Sequence, residues 1–184
     1  MNDPVPPWQI EGEKRLLDTR LFRVRGVRAR SRLRPDHTGD FVVLDTADWV
    51  NVIALTPDHR VVTVRQYRHG TTSVTLEIPG GMVDPGESFV QAAQRELAEE
   101  TGYIGDDARQ IGLVEPNPAI QSNRCATVLV RNARRAGAQA LDGNEEIAVD
   151  TVPLADIPAL IQSGRITHAL VVAAFYHLHA EGLS

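Results

Sequence analysis

The chain has 184 residues, 42% of them hydrophobic, with a formal net charge of -5 at pH 7. That length supports one good core with a small appendage rather than two full domains, and the acidic balance argues against a general nucleic-acid binder. No apolar run approaches the roughly 18 residues of a membrane span. The N-terminus, MNDPVPPWQIEGEK, lacks the basic-then-apolar order of a signal peptide, and the single Cys125 excludes an internal disulfide framework and fits a reducing cytoplasm.

In chain order, residues 1–45 read as a small β appendage and 46–184 as the main domain. Leu16-Leu17, Leu21 to Ala29 and Phe41 to Leu44 carry strand patterns, with a turn at Pro35 to Asp40. Nine of the 19 basic residues fall between Lys14 and Arg34. Arg28, Arg30, Arg32 and Arg34 alternate with small or apolar residues, which places them on one face of a strand; that face is either a charged edge guarded against pairing or a surface for polyphosphate. Trp49 to Leu55 and Arg60 to Tyr67, joined by Thr56-Pro57-Asp58-His59, read as a hairpin of core strands. Val74 to Ile78 runs into Pro79-Gly80-Gly81 and then a helix. Strands follow at Ile111 to Val114, Ala126 to Val130 and Ile147 to Pro153, then helices over Leu154 to Ser163 and His168 to His179. Cys125 opens an apolar run, so it reads as a buried structural thiol.

The central helix begins at Pro85 or Ser88, because Asp84 with Glu87 and Ser88 with Gln91 are both capping-box pairs, and Gly102 supplies its left-handed stop. At about 100° per residue, Phe89, Ala92, Ala93, Glu96 and Glu100 share one stripe, with Glu99 at its edge. The apolar stripe therefore turns acidic in its last two turns. Glutamates there oppose the helix dipole, and Glu96 with Glu100 is a like-charge pair at i,i+4, each effect costing a few tenths up to about 1 kcal/mol. A solvated acidic helix end is one reading. A site for a hard divalent cation is the other, since Mg²⁺ takes carboxylate oxygens together with substrate phosphates.

The spacing bears on that choice. Gly81, Glu87 and Arg95-Glu96-Leu97-Ala98-Glu99-Glu100-Thr101-Gly102-Tyr103 resemble the Nudix box, G-x5-E-x7-R-E-U-x-E-E-x-G-U, at nine specified positions over 23 residues; Tyr103 stands where an aliphatic residue is commoner. The resemblance implies an α/β fold, a Nudix α/β/α sandwich on a mixed sheet, that hydrolyses a nucleoside diphosphate linked to another moiety with Mg²⁺ or Mn²⁺. It implies that Glu96 and Glu100 are the principal metal ligands, with Glu99 as a further ligand or base and the Gly80 carbonyl as an additional ligand. Glu87 and Arg95 become a pair that locks the helix.

Arg65-Gln66-Tyr67-Arg68-His69-Gly70 followed by Glu77-Ile78-Pro79-Gly80-Gly81 is similar to the arrangement in ADP-ribose pyrophosphatases and nucleoside diphosphate sugar hydrolases. By that resemblance Arg68 and Glu77 join the substrate site, as does Pro118, fifteen positions beyond Tyr103. Asn123 occupies a position where that subgroup carries glutamate. The resemblance also implies a downstream acidic loop with the general base; Asp142 to Ile147 fits it, and Glu145 is the choice within it. Trp49 is a candidate for stacking the base or, equally, an aromatic at a strand start. The histidines have no metal-ligand spacing and receive no catalytic role.

The expected reaction is hydrolysis of the pyrophosphate of a nucleoside diphosphate sugar, with ADP-ribose giving AMP and ribose 5-phosphate. The resemblance further implies a homodimer joined through the appendage. Alternatives are another nucleoside diphosphate sugar, a nucleoside triphosphate pyrophosphohydrolase, or a sensor that binds without cleaving; the intact carboxylates count against the last, and the Gln66-x-Arg68 element against the triphosphatase.

Overall fold

The computed structural model describes residues 5–183. It divides into two compact units, residues 5–47 with Glu115–Asn123, and Asp48–Val114 with residues 124–183.

The first unit is an antiparallel meander in the order β1-β2-β3, formed by β1 (Gln9–Asp18), β2 (Phe22–Arg30) and β3 (Thr38–Thr46). The 115–123 segment lies along β3: Leu44 donates to the Ile120 carbonyl at 2.7 Å and accepts from the Ser122 N–H at 3.1 Å. The four alternating arginines do not share one strand face. β2 ends at Arg30, while Arg32 and Arg34 lie in a turn closed by Ser31 N–H to His37 carbonyl and His37 N–H to Arg34 carbonyl bonds. Alternation alone does not register that the Ser31 side chain caps this turn, accepting from the Arg34 N–H. Within the sheet Arg25 pairs with Glu13 and Asp45, Arg28 with Asp40, and Arg30 with Glu11, so neighbouring strands neutralise these arginines.

The second unit holds β4 (Trp49–Ala54), β5 (Arg60–Arg68), β6 (Ser73–Glu77), β7 (Gly80–Met82), α1 (Phe89–Thr101), β8 (Tyr103–Val114), β9 (Cys125–Arg135), β10 (Ile147–Pro153), a 3-10 turn at Leu154–Asp156, α2 (Ile157–Gln162) and α3 (Ala169–Ala180). Two sheets result, β7-β4-β9-β8 and β10-β5-β6. The first is mixed, because β4 runs parallel to β9 while β7 and β8 pair antiparallel.

β4 and β5 are both strands, but they are not the expected hairpin. They meet only at a Leu55–Val61 bridge and then enter different sheets. The edges of β4 are taken by β7 and β9, and those of β5 by β6 and β10. A local turn signal carries no information about such distant partners.

Side chains alternate across β4. Val50, Val52 and Ala54 pack with Ala92, Ala93 and Leu97 of α1, whereas Ile53 packs with Val171, Ala174, Phe175 and Leu178 of α3. The sheet is thus covered by α1 on one face and α3 on the other, the α/β/α sandwich. α1 starts where its cap dictates: Ser88 accepts from the Gln91 N–H at 3.3 Å and Gln91 accepts from the Ser88 N–H at 2.9 Å. Asp84 and Glu87 close their own turn just before it. Gly102 ends α1 at φ 71°, and a Cβ there would strike the Gly137 carbonyl. The expected helix from Leu154 opens as a 3-10 turn, since Pro158 has no N–H to offer the Leu154 carbonyl and Ile157 donates to it instead.

Candidate functional site

The C-terminal end of α1 carries its carboxylates against β7. Glu100 is 4% exposed; its Oε2 accepts from the Gly80 N–H at 3.0 Å, and among the described residues no cationic side chain pairs with it. Burial, which outweighs the Gly80 N–H, together with the charges of Glu96 and Glu145, pushes its carboxyl up to about 8. Burial also raises Glu96 despite its bond to Arg95. Gly81 makes room for it: a Cβ at that position would collide with the Glu96 carboxylate.

Arg95 organises the exposed side of the cluster. Its Nε and Nη2 donate to Glu87 at 2.9 Å each, Nη1 reaches Glu96 at 2.8 Å and Glu99 at 3.1 Å, and Nη2 also donates to the Met82 carbonyl at 3.0 Å. The Glu87–Arg95 pair is therefore present. The α1 terminus is tied down by Gln139, whose amide donates to the Glu100 and Ile147 carbonyls.

On the β5-β6 side, Arg68 clasps Glu77 through Nε at 2.8 Å and Nη2 at 2.7 Å, and Thr75 adds a hydroxyl at 2.6 Å. Burial pulls the Glu77 carboxyl upward, but the Arg68 fork, the Thr75 hydroxyl and the arginine charge outweigh it and hold Glu77 low. With Nε and Nη2 committed to Glu77, Nη1 of Arg68 makes no hydrogen bond among the described residues. Glu145 sits in a loop where its carboxylate accepts from the Asp142 N–H at 3.0 Å, and its charge reaches Glu96, Glu100 and Arg68.

A cleft of about 610 Å³ opens beside these groups, a size suited to a nucleotide-sized ligand. Trp49, Met82 and Cys125 are neighbours in one row across β7, β4 and β9, and Asn51 with Gly80 lies in the next row on the same face. Arg68, Thr75, Glu77 and His168 line the cleft as well. Burial pushes the Cys125 thiol up to about 12, so it stays protonated.

Of the residues expected from sequence, Trp49, Arg68, Glu77 and Gly80 line this cleft; Glu96 and Glu100 meet β7, Glu99 turns to Arg95, and Glu145 stands within their field. Pro118 belongs to the first unit, as does Asn123, which is 2% exposed with its amide unpartnered. Sequence reasoning missed Asn51, Thr75 and His168. The one available signal was Asn51, a polar residue interrupting the apolar strand WVNVIAL.

Among the described residues, no three acidic, histidine or cysteine side chains converge on one point in this side-chain arrangement. The donor chemistry nevertheless fits a hard divalent cation. Two carboxylates, half-buried Glu96 and buried Glu100, repel each other without a matching positive charge at Glu100, and the glycine notch admits the first of them.

A mixed sheet between helices, with a carboxylate-bearing helix locked by Arg95 onto a Gly-Gly strand, defines the Nudix class of hydrolases. The family described as NUDIX domain matches residues 45–175, and this chain belongs to it; it is a Nudix pyrophosphohydrolase. It is 28% identical over 169 residues to "ADP compounds hydrolase NudE" of Escherichia coli (strain K12), covering 86% of this chain and 84% of that one. It is likewise 28% identical over 133 residues to "ADP-ribose pyrophosphatase" of Bacillus subtilis (strain 168), covering 72% of each. A solved structure titled "Crystal structure of ADP compounds hydrolase" superposes with a TM-score of 0.86 at 23% identity over all of both chains, a likeness of fold. No helix among the described residues is long and apolar enough to cross a membrane.

Proposed function

We propose that the protein hydrolyses the pyrophosphate linkage of an ADP-linked sugar, with ADP-ribose as the leading substrate and AMP and ribose 5-phosphate as products. The observation that carries this reading is the pairing of buried Glu100 with half-buried Glu96 beside a nucleotide-sized cleft whose wall holds Arg68 and Trp49. The printed activities of the two relatives, on ADP compounds and ADP-ribose, support the substrate class.

Glu96, Glu99 and Glu100 with the Gly80 carbonyl would hold Mg²⁺ or Mn²⁺. When bound, such a cation neutralises pyrophosphate oxygens and makes a water more acidic. Arg95 orients Glu96 and Glu99, Arg68 offers Nη1 to a phosphate oxygen, and Glu145 takes the proton of the attacking water. Trp49 supplies a face for the base, and Pro118 shapes the substrate loop. We further assign a homodimer in a reducing, cytoplasmic setting.

The test is product analysis with Mg²⁺ and then Mn²⁺ against ADP-ribose, other nucleoside diphosphate sugars, dinucleotides and nucleoside triphosphates. Selective release of AMP from ADP-ribose is the expected result. Preference for another sugar nucleotide would move specificity to the 118–124 loop, where neutral Asn123 is the departure. Failure to cleave any member would leave a binding protein.

A further inference from the structure

Two nitrogens on the cleft wall have no hydrogen-bond partner among the described residues. Asn51 Nδ2 and His168 Nδ1 are sealed from water without a hydrogen-bond partner, although both side chains line the cleft. Leaving such a group unpaired is unfavourable, because its lost bond to water is not replaced. Neither side chain makes a hydrogen bond among the described residues: His168 precedes α3 without a capping bond, and Asn51 lies between Gly80 and Thr127 across the ladders. The terminal torsions of Asn and His are broad and roughly two-fold, so each group can turn about its last bond without breaking a hydrogen bond. On that wall Arg68 is paired with Glu77, and Thr75 and Thr167 add hydroxyl groups. Neutral donors and acceptors in that setting match hydroxyl groups; phosphate oxygens call for charged donors.

We propose that Asn51 and His168 form a hydroxyl-reading subsite that grips the vicinal hydroxyls of a sugar in the ligand and thereby selects which sugar-linked pyrophosphate the cleft accepts. This rests on the reading of the cleft as a nucleoside diphosphate sugar site. Both residues are binding residues; neither takes part in the proton transfers assigned above.

The experiment is calorimetric titration of the full chain, with Mg²⁺ present and no turnover possible, using the α,β-methylene analogue of ADP-ribose, AMP, ribose 5-phosphate and methylenediphosphonate. Asn51→Ala and His168→Gln should each weaken the analogue about tenfold, the loss of roughly one hydrogen bond. His168→Asn, which keeps a polar atom at the Nδ1 position, should bind close to wild type. Loss shared with ribose 5-phosphate assigns the subsite to the second sugar and loss shared with AMP to the nucleoside ribose; either supports it. Unchanged affinity in folded variants, an equal loss for methylenediphosphonate, or a wild type that binds none of the four overturns it. Should Asn51→Ala not fold, the two His168 variants carry the comparison. A wild type that binds the analogue but leaves ADP-ribose intact refutes hydrolysis and not the subsite.

Discussion

At the residue scale, the carboxylate pair sets the pH behaviour. The Glu100 carboxyl titrates near 8 in the folded protein against 4.5 for the ordinary group, so between those values folding takes up a proton. Stability contributed by the protonated form is complete below about 4.5 and lost as pH rises through about 8. Thermal melts of the metal-free protein should therefore fall across that window, and Glu100→Gln should flatten the slope while nearly abolishing turnover. Added Mg²⁺ should raise the melting temperature more at pH 8 than at pH 5, where it must displace a proton; an equal rise at both would remove the cation from this pair. Gly81→Ala tests the same site sterically. Pushing Glu96 aside should lower kcat about a hundredfold with little change in melting temperature, since small misplacements near the chemistry cost that much. Which of these residues could be read in advance depended on distance along the chain. Glu96, Glu99 and Glu100 share one helix end with fixed spacing, whereas Asn51, Thr75 and His168 reach one cleft from separate elements and leave almost no local mark.

At the element scale, α1 was legible because its boundaries rest on short-range chemistry. Ser88 and Gln91 sit three residues apart, and Gly102 stands where only a left-handed residue closes the turn. Ser88→Ala should destabilise the fold by about 1 kcal/mol, read as a lower denaturant midpoint at constant m. Gly102→Ala should do more harm, because a positive φ and the Gly137 carbonyl both oppose a Cβ; a loss no larger than that of Ser88→Ala would argue that the α1 end relaxes freely. The β4–β5 pairing was illegible for the opposite reason. Thr56 to His59 is a genuine turn, with the Thr56 N–H donating to the Arg60 carbonyl at 2.9 Å, yet the partners of both strands arrive from β6, β7, β9 and β10.

At the scale of the whole molecule, the first unit presents Leu17 and Val42, which share one sheet face, to solvent at 53% and 52% exposure. A second copy of the chain is the occupant proposed for that surface. Sedimentation should give twice the 20.2 kDa chain mass, and Leu17→Glu with Val42→Glu should return it to one; a wild-type monomer at micromolar concentration would sink the dimer. In the second unit, β4 has two faces with different employment. Val50 and Val52 support the helix that carries Glu96 and Glu100, while Trp49 and Asn51 face the cleft. On the proposed roles, one strand separates what breaks the bond from what chooses the molecule that contains it. Exchanging every second residue along β4 should retune the chosen molecule while the cutting apparatus is inherited whole, which makes this strand a natural place for divergence among relatives that share one reaction.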